Sequence, residues 1–422
     1  MLELKKIREN PEEIRVNIAR RGNPEFLEQF NKLLEVDRDW RESKQLEEKL
    51  RMSRNELTEK IKVLKANNKD LSYTLSKAKL LPKKIAGVQK KTTAFELKLS
   101  ILQKRIPNIL HESVPEGSDD TGNVVVRTWG DAIKPDFELQ HHGAILQKKG
   151  LADFSSATKV AGAGFYYLKG NLALLDLALQ RFAIDEITAN GYKLVIPPLM
   201  MRREPYEGVT DMADFENVMY KIDSEDLFLI ATSEHPLAAM HMDQILEEND
   251  LPLKYCGISP CFRREIGKHS IDERGLFRVH QFWKIEQFVF CRPQDSWQFH
   301  EELLANAESL VQKLGLPYNV LNVCTGDIGT VASKKYDIEA WSPREGKHFE
   351  IISCSNCLSY QAARLKIRYR KGQGKELVHT LNSTALATSR IIRAIAENFQ
   401  EKDGTIRVPK ALWPYMNGVK EL

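Results

Sequence analysis

Residues 85–106 carry the most restrictive pattern in the chain. Ile85, Val88, Thr92, Phe95, Leu99, Leu102 and Ile106 alternate spacings of three and four, an a/d seam held for three heptads. An earlier seam runs through Leu50, Leu57, Ile61 and Leu64, with Phe30, Leu33 and Trp40 farther upstream. Between the two lies a polar reversal, Ala66 to Asp70, with no seam of its own. Two helices joined by so short a turn pack antiparallel. At a rise of 1.5 Å per residue, about forty residues make an arm roughly 60 Å long. Pro82 either kinks the second helix or marks the first turn of its regular part.

Charge singles out the same region. The whole chain carries 62 Lys+Arg and 58 Asp+Glu, yet residues 62–105 alone hold 12 basic and 2 acidic side chains. The remainder of the protein is acidic. Such a patch, which includes Lys62, Lys65, Lys83, Lys84, Lys90 and Lys91, points to a polyanionic partner bound in a salt-sensitive way. A solvated helix face is the bland alternative on charge alone.

The arm ends at Ile106-Pro107-Asn108, and the turn-rich stretch from His111 to Gly117 breaks the periodicity. The expected division is therefore an arm over 1–110 and a second domain over 111–422. In the latter, Tyr192–Ile196, Leu227–Ala231, Phe282–Phe290 and His348–Ile352 read as strands, and Leu172–Ala189 and Ser296–Leu314 as helices. Strands and helices without strict alternation predict an α+β domain on an antiparallel sheet. With 422 residues, 42% hydrophobic and 28% charged, the chain is neither disordered nor a disulfide scaffold. No apolar run approaches the roughly 18 residues of a membrane helix, and the first ten residues hold no signal core. Six scattered cysteines in such a chain are expected reduced, in the cytoplasm.

There is no Walker loop, HExxH or GxSxG sequence, and Gly162-Ala163-Gly164 is a poor dinucleotide fingerprint. Cys354 and Cys357 form a single CxxC without a second pair, and even with His348 as a third ligand no zinc site is expected. The informative stretch is Cys261-Phe262-Arg263-Arg264-Glu265, followed after the loop Ile266–Glu273 by Arg274-Gly275-Leu276-Phe277-Arg278-Val279-His280-Gln281-Phe282-Trp283-Lys284-Ile285-Glu286. A hairpin would set both charge groups over one sheet face. Arginines there can fork onto phosphate oxygens, and carboxylates can read amines and hydroxyls. For isolated charges, a salt-bridged surface hairpin is the competing reading.

This hairpin resembles motif 2 of the class II aminoacyl-tRNA synthetases, in the form found in the seryl-tRNA synthetase family. Gly191 to Met200 (GYKLVIPPLM) resembles motif 1, with Pro198 at the motif's proline. Asn382 to Arg390 (NSTALATSR) resembles motif 3. Thr232-Ser233-Glu234 matches the family's TxE element, and Glu350 to Cys357 its stretch before motif 3. The resemblance runs over nearly the whole chain, in order.

It implies a serine–tRNA ligase. Members bind L-serine and ATP with Mg²⁺, form seryl-adenylate with release of pyrophosphate, and pass the seryl group to the terminal adenosine of serine tRNA; whether selenocysteine tRNA is charged too is left open. By motif position, Arg263 grips the α-phosphate and the reacting carboxylate, Glu265 reads the adenine amino edge, and Arg278 holds the outer phosphates. Phe282 and Arg390 sandwich the adenine, with Arg390 also reaching the γ-phosphate; Arg263 and Arg390 are the catalytic pair. Arg264, Val279, Ile351 and Ile352 fall in the same ATP-contacting stretches. Glu350 and Ser353 are the Mg²⁺ ligands. Thr232, Ser233, Glu234, Arg263 and Glu286 meet the serine, and Asn382 and Thr384 close its pocket. Ser383-Thr384 stands where many relatives carry Gly-Ser, which keeps a hydroxyl at 384. The arm is expected on the long variable arm of serine tRNA, and the molecule as a homodimer through motif 1. A catalytically dead RNA-binding relative, or one that charges a carrier protein, are the competing readings. The retained Arg263, Glu286, Glu350 and Arg390 argue against the first, and the arm against the second.

Overall fold

The computed structural model describes residues 1–212, 216–265 and 275–422. The loop Ile266–Glu273 and Arg274 therefore lie outside the described residues. The chain divides into two compact units, one of Glu3–Ala19 and Asn23–Pro107, the other of Arg20–Gly22 and Asn108–Leu422.

In the first unit two short helices, Leu4–Glu9 and Pro11–Ala19, precede the long helices α1 (Pro24–Ala66) and α2 (Ser72–Arg105). Asn23 caps α1 by accepting the Glu25 amide at 3.0 Å, and Pro24 at the first position costs no bond there. The foreseen seam follows the inner stripe of α2: Ile85, Thr92 and Leu99 are buried, Val88, Phe95 and Leu102 half-buried, and Ile106 is buried just past its end, while Lys62, Lys65, Lys83, Lys84, Lys90 and Lys91 are exposed. Pro82 is interior to α2 and exposed, so α2 begins well upstream of it. Its missing N–H leaves a carbonyl to solvent instead of ending the helix. The seam is not wholly apolar. Ser43 and Thr92 hydroxyls meet at 2.8 Å across it, and buried Glu47 is held by Arg51 at 2.7 Å.

The second unit is built on an eight-stranded sheet. Its strands in chain order are β1 (Val124–Trp129), β2 (Lys193–Val195), β3 (Leu253–Phe262), β4 (Gln281–Cys291), β5 (Tyr318–Asn322), β6 (Lys334–Ser342), β7 (Lys347–Asn356) and β8 (His379–Ala387). They lie in the order β1-β5-β6-β7-β8-β4-β3-β2, antiparallel throughout except for the β2–β3 pair. The α+β expectation holds. The Leu227–Ala231 strand shrinks to Phe228–Leu229, paired with Met200–Met201, because the chain turns at once into a helix at Glu234.

One face of the sheet is the core. Ile285, Val289, Ile338, Ile352 and Leu381 pack there with apolar residues of α3 (His142–Lys148), α4 (Asn171–Ala189), α6 (Ser296–Lys313) and α8 (Thr388–Asn398). Each such side chain, fully buried, contributes about 1.5–3 kcal/mol. Two short helices, α5 (Glu234–Ala239) and α7 (Tyr360–Leu365), cover the sheet elsewhere. The opposite face, over β4, β7 and β8, is left for chemistry.

Candidate active site

Strand pleat and two bulges assemble the site. Along β4, Phe282, Lys284 and Glu286 stand on one face by the two-residue period, while Ile285 points into the core. On β7 a simple alternation would put Glu350 and Ser353 on opposite faces. The pairing Ile338↔Ile352 followed by Glu339↔Glu350 leaves Ile351 as an extra residue. That bulge rephases the strand, so Glu350 and Ser353 share the cavity. On β8 the pairs Thr384↔Glu286 and Leu386↔Ile285 make Ala385 the extra residue, and Asn382, Thr384 and Ala387 face the same way.

The cavity is about 600 Å³. Of the residues singled out in the sequence, Thr232, Glu234, Arg263, Arg264, Glu265, Phe282, Glu286, Glu350, Ile351, Ser353, Asn382, Thr384 and Arg390 line it. Ser233, Val279 and Ile352 are buried and do not line it. Arg278 faces a separate hollow beside Phe154 and Phe165 and pairs with Glu265 at 3.5 Å. Pro198 lies away from the cavity, in a 570 Å³ apolar groove with Ile196, Met200 and Met240. Lys284, Lys335, Thr210 and Cys357 also line the cavity, and the sequence assigned none of them a role there. Lys284 had a signal, falling two residues before Glu286 on the same strand face, and so had Cys357, the last residue of the stretch before motif 3.

Charge in the cavity is sorted into two ends. At one, Arg390 Nη1 lies 3.1 Å from Glu350 Oε1 and donates to the Glu350 carbonyl at 2.9 Å. Burial acts to raise the Glu350 carboxyl, but Arg390, Lys335 and Arg263 outweigh it and hold the group below its ordinary value. The Arg390 guanidinium also sits 5.3 Å from the Phe277 ring, and that of Arg263 sits 5.3 Å from the Phe282 ring. Arg263 is anchored by donating through Nε to the Ala231 carbonyl at 3.2 Å.

At the other end, Lys284 Nζ is 2.6 Å from Glu286 Oε2, with the side chains 8% and 1% exposed. Burial pushes the Glu286 carboxyl up, against the pull of Lys284 and Arg263. Glu234 is pushed up to about 7 by burial and by Glu286. Carboxylates so raised are poorly solvated and favour an incoming cation.

Cys354 donates to the His300 carbonyl at 3.7 Å, and Cys357 receives Asn382 Nδ2 at 3.7 Å. His348 lies apart, against Trp341. Among the described residues no three His, Cys, Asp or Glu side chains form a ready metal cage. A cation shared with phosphate oxygens needs fewer protein ligands. Glu350 and Ser353 fit one: Asp337, paired with Ser353 across the strands, has among the described residues a buried Oδ1 with no hydrogen-bond partner. Its carboxyl is pushed up to about 6 by burial, with Lys335 lowering it and Glu350 raising it.

A Rossmann-type site is excluded by this geometry: nucleotide-sized space lies on a largely antiparallel sheet, with Arg263 and Arg264 just beyond the end of β3 and Arg390 on α8. That is the architecture of the class II aminoacyl-tRNA synthetases, and residues 218–399 match the family model described as tRNA synthetase class II core domain (G, H, P, S and T). Residues 1–110 match the seryl-tRNA synthetase N-terminal domain. The chain is 53% identical to the serine–tRNA ligase of Methanocella arvoryzae over 100% of both chains. Its structure superposes on the seryl-tRNA synthetase of Pyrococcus horikoshii complexed with ATP at a TM-score of 0.96, with 45% identity over 100% of this chain and 99% of that one. Against the cytoplasmic serine–tRNA ligase of Naegleria fowleri in complex with AMP the values are 0.88 and 34%, over 98% and 96%. The chain belongs to the seryl-tRNA synthetase family.

Proposed function

We propose that the protein is a serine–tRNA ligase that joins L-serine and ATP into seryl-adenylate, releases pyrophosphate, and transfers the seryl group to the 3′-terminal adenosine of serine tRNA. The observation that carries this reading is the cavity itself, where arginines and carboxylates from five separate stretches of sequence meet. The first step is an in-line attack by the serine carboxylate on the α-phosphorus. It needs no protein nucleophile, only positioning and charge neutralisation.

Arg263 would bridge the α-phosphate and the attacking carboxylate. Phe282 and Arg390 would enclose the adenine, and Arg390 would reach the γ-phosphate. Arg264 and Ile351 would complete the ATP contacts, while Val279 and Ile352, buried and not on the cavity wall, would serve only by packing. Glu265 and Arg278 pair with each other in this structure, so they would part to read the adenine edge and the outer phosphates. Glu350 and Ser353 would hold Mg²⁺, which when bound neutralises and orients the triphosphate. Serine would be held at the Glu234–Glu286 end by Thr232, Ser233, Asn382 and Thr384. Alanine lacks the hydroxyl and leaves a buried polar group unpaired, which can discriminate by roughly 10⁴ or more.

The exposed lysines of α1 and α2 would meet the paired RNA of the long variable arm through phosphates and shape. A homodimer through motif 1 is supported by exposed apolar residues near Pro198: Leu194 is 44%, Ile196 79% and Met240 47% exposed. Among the described residues no helix is long and apolar enough to cross a membrane. The test is ATP–pyrophosphate exchange with serine, threonine, alanine and cysteine. Exchange driven by serine alone is expected; no serine-dependent exchange would refute the reading.

A further inference from the structure

The acidic end of the cavity rests on a side chain that belongs to none of the motifs. Gln361, on α7, is fully buried and does not line the cavity. Its amide has one possible orientation. The Val209 carbonyl at 3.3 Å and Glu234 Oε1 at 3.1 Å accept, so the atom facing them is Nε2, and Oε1 is left to accept from Thr380 Oγ1 at 2.7 Å. Asn382 Nδ2 donates to the same Oε1 at 3.1 Å. Among the described residues both bonds to the Glu234 carboxylate fall on Oε1, which leaves Oε2 for a ligand.

We propose that Gln361 is a positioning residue for the amino-acid subsite, fixing Glu234 so that Oε2 receives the ammonium group of a small amino acid. The inference rests on the reading of this end of the cavity as the serine site. The chemistry of position 361 follows from the charges around Glu234. Glu286, Lys284 and Arg263 face it from β4 and from the end of β3, and the Cys357 thiol lies beyond Asn382. A cation at 361 would neutralise Glu234 and compete with the substrate's ammonium. A carboxyl there would share a proton with it. A neutral N–H donor favours the charged carboxylate and brings no competing charge. Burial already holds Glu234 at about 7, so that support decides how much of it is ionised near neutral pH.

The test is serine-dependent pyrophosphate exchange by Gln361→Met and Gln361→Glu across pH 6–9, with KM for serine and for ATP measured separately, and Glu234→Gln as control. Loss of a donor to a buried carboxylate should raise KM for serine about ten- to a hundredfold. KM for ATP should stay at the wild-type level. The acid limb of kcat/KM for serine should move to higher pH in Gln361→Met, and farther in Gln361→Glu. Thr380→Val, which removes only the hydroxyl that orients the amide, should move the same two quantities less, and it serves if Gln361 variants do not fold. An impaired Glu234→Gln beside Gln361→Met and Thr380→Val with wild-type serine KM and pH profile overturns the proposal alone. Equal losses for serine and ATP with a lowered melting temperature would mean a merely structural role. A Glu234→Gln variant with normal serine use overturns the subsite reading and the proposal together.

Discussion

Replacing Lys284 with Met removes the cation from the most buried ion pair of the cavity. Lys284 and Glu286 touch at 2.6 Å with 8% and 1% side-chain exposure, so solvent cannot take over the lysine's part. Breaking a buried pair from one side costs about 3–5 kcal/mol, because the partner's charge is stranded. At roughly 2–4 °C per kcal/mol for a large domain, the melting temperature should fall by about 6–20 °C. The loss carries a pH signature. Glu286 in the folded protein already lies above its ordinary value, and without Lys284 it rises further. Below about pH 4.3 the carboxyl is protonated in both folded and unfolded chains, and this contribution to the deficit vanishes. As pH rises, the unfolded chain ionises first, and stability is lost until the folded carboxyl ionises too. The variant's deficit relative to wild type should therefore be larger at pH 8.5 than at pH 5, as read by thermal or denaturant unfolding of both proteins. A deficit that is the same at both pH values would refute the reasoning.

Arg263→Ala should lower pyrophosphate exchange by roughly 10²–10³, the scale of losing one transition-state donor; near-normal exchange would remove Arg263 from the reaction. KM for serine should rise as pH falls below about 7, where Glu234 takes up a proton, by roughly tenfold per pH unit, while KM for ATP does not follow; initial rates between pH 5.5 and 8 check this, and a flat serine profile counts against Glu234 as the ammonium's partner. Deleting residues 24–106 should spare serine-dependent exchange and abolish efficient aminoacylation of serine tRNA; full transfer by the truncated protein would take the arm out of the reaction. In the intact protein, tRNA affinity measured between 50 and 200 mM salt should drop steeply, and a salt-independent affinity would exclude phosphate contacts.

The arm was legible because a heptad is a local repeat. Ile85, Thr92 and Leu99 announce their burial by spacing alone, and all three are buried. The strands were legible where apolar runs stood out, as at Phe282–Phe290. They were illegible along Thr380–Ala387 of β8, where the buried residues include Thr380, Asn382, Ser383 and Thr384 and no apolar run marks the strand. The motifs pointed to Glu350 and Ser353, but their sharing of a face depends on the bulge at Ile351, which only strand register reveals. Gln361 and Lys335 had no local signal. Their importance comes from partners far along the chain: Glu234 is bonded to Gln361 across 127 residues.

The polar break in the helical hairpin has a consequence for how this arm can vary in length. Ser43 faces Thr92, so sliding one helix by a single heptad, about 10 Å, would set each hydroxyl against an aliphatic neighbour and break the bond between them, although Thr92 keeps its bond to the Val88 carbonyl of its own helix. The hairpin thus behaves as a ruler with one engraved mark. An insertion in α1 would be tolerated only with a matching insertion in α2 on the same side of that mark, and unequal insertions would be pushed out as a loop at the tip instead of shifting the whole scale.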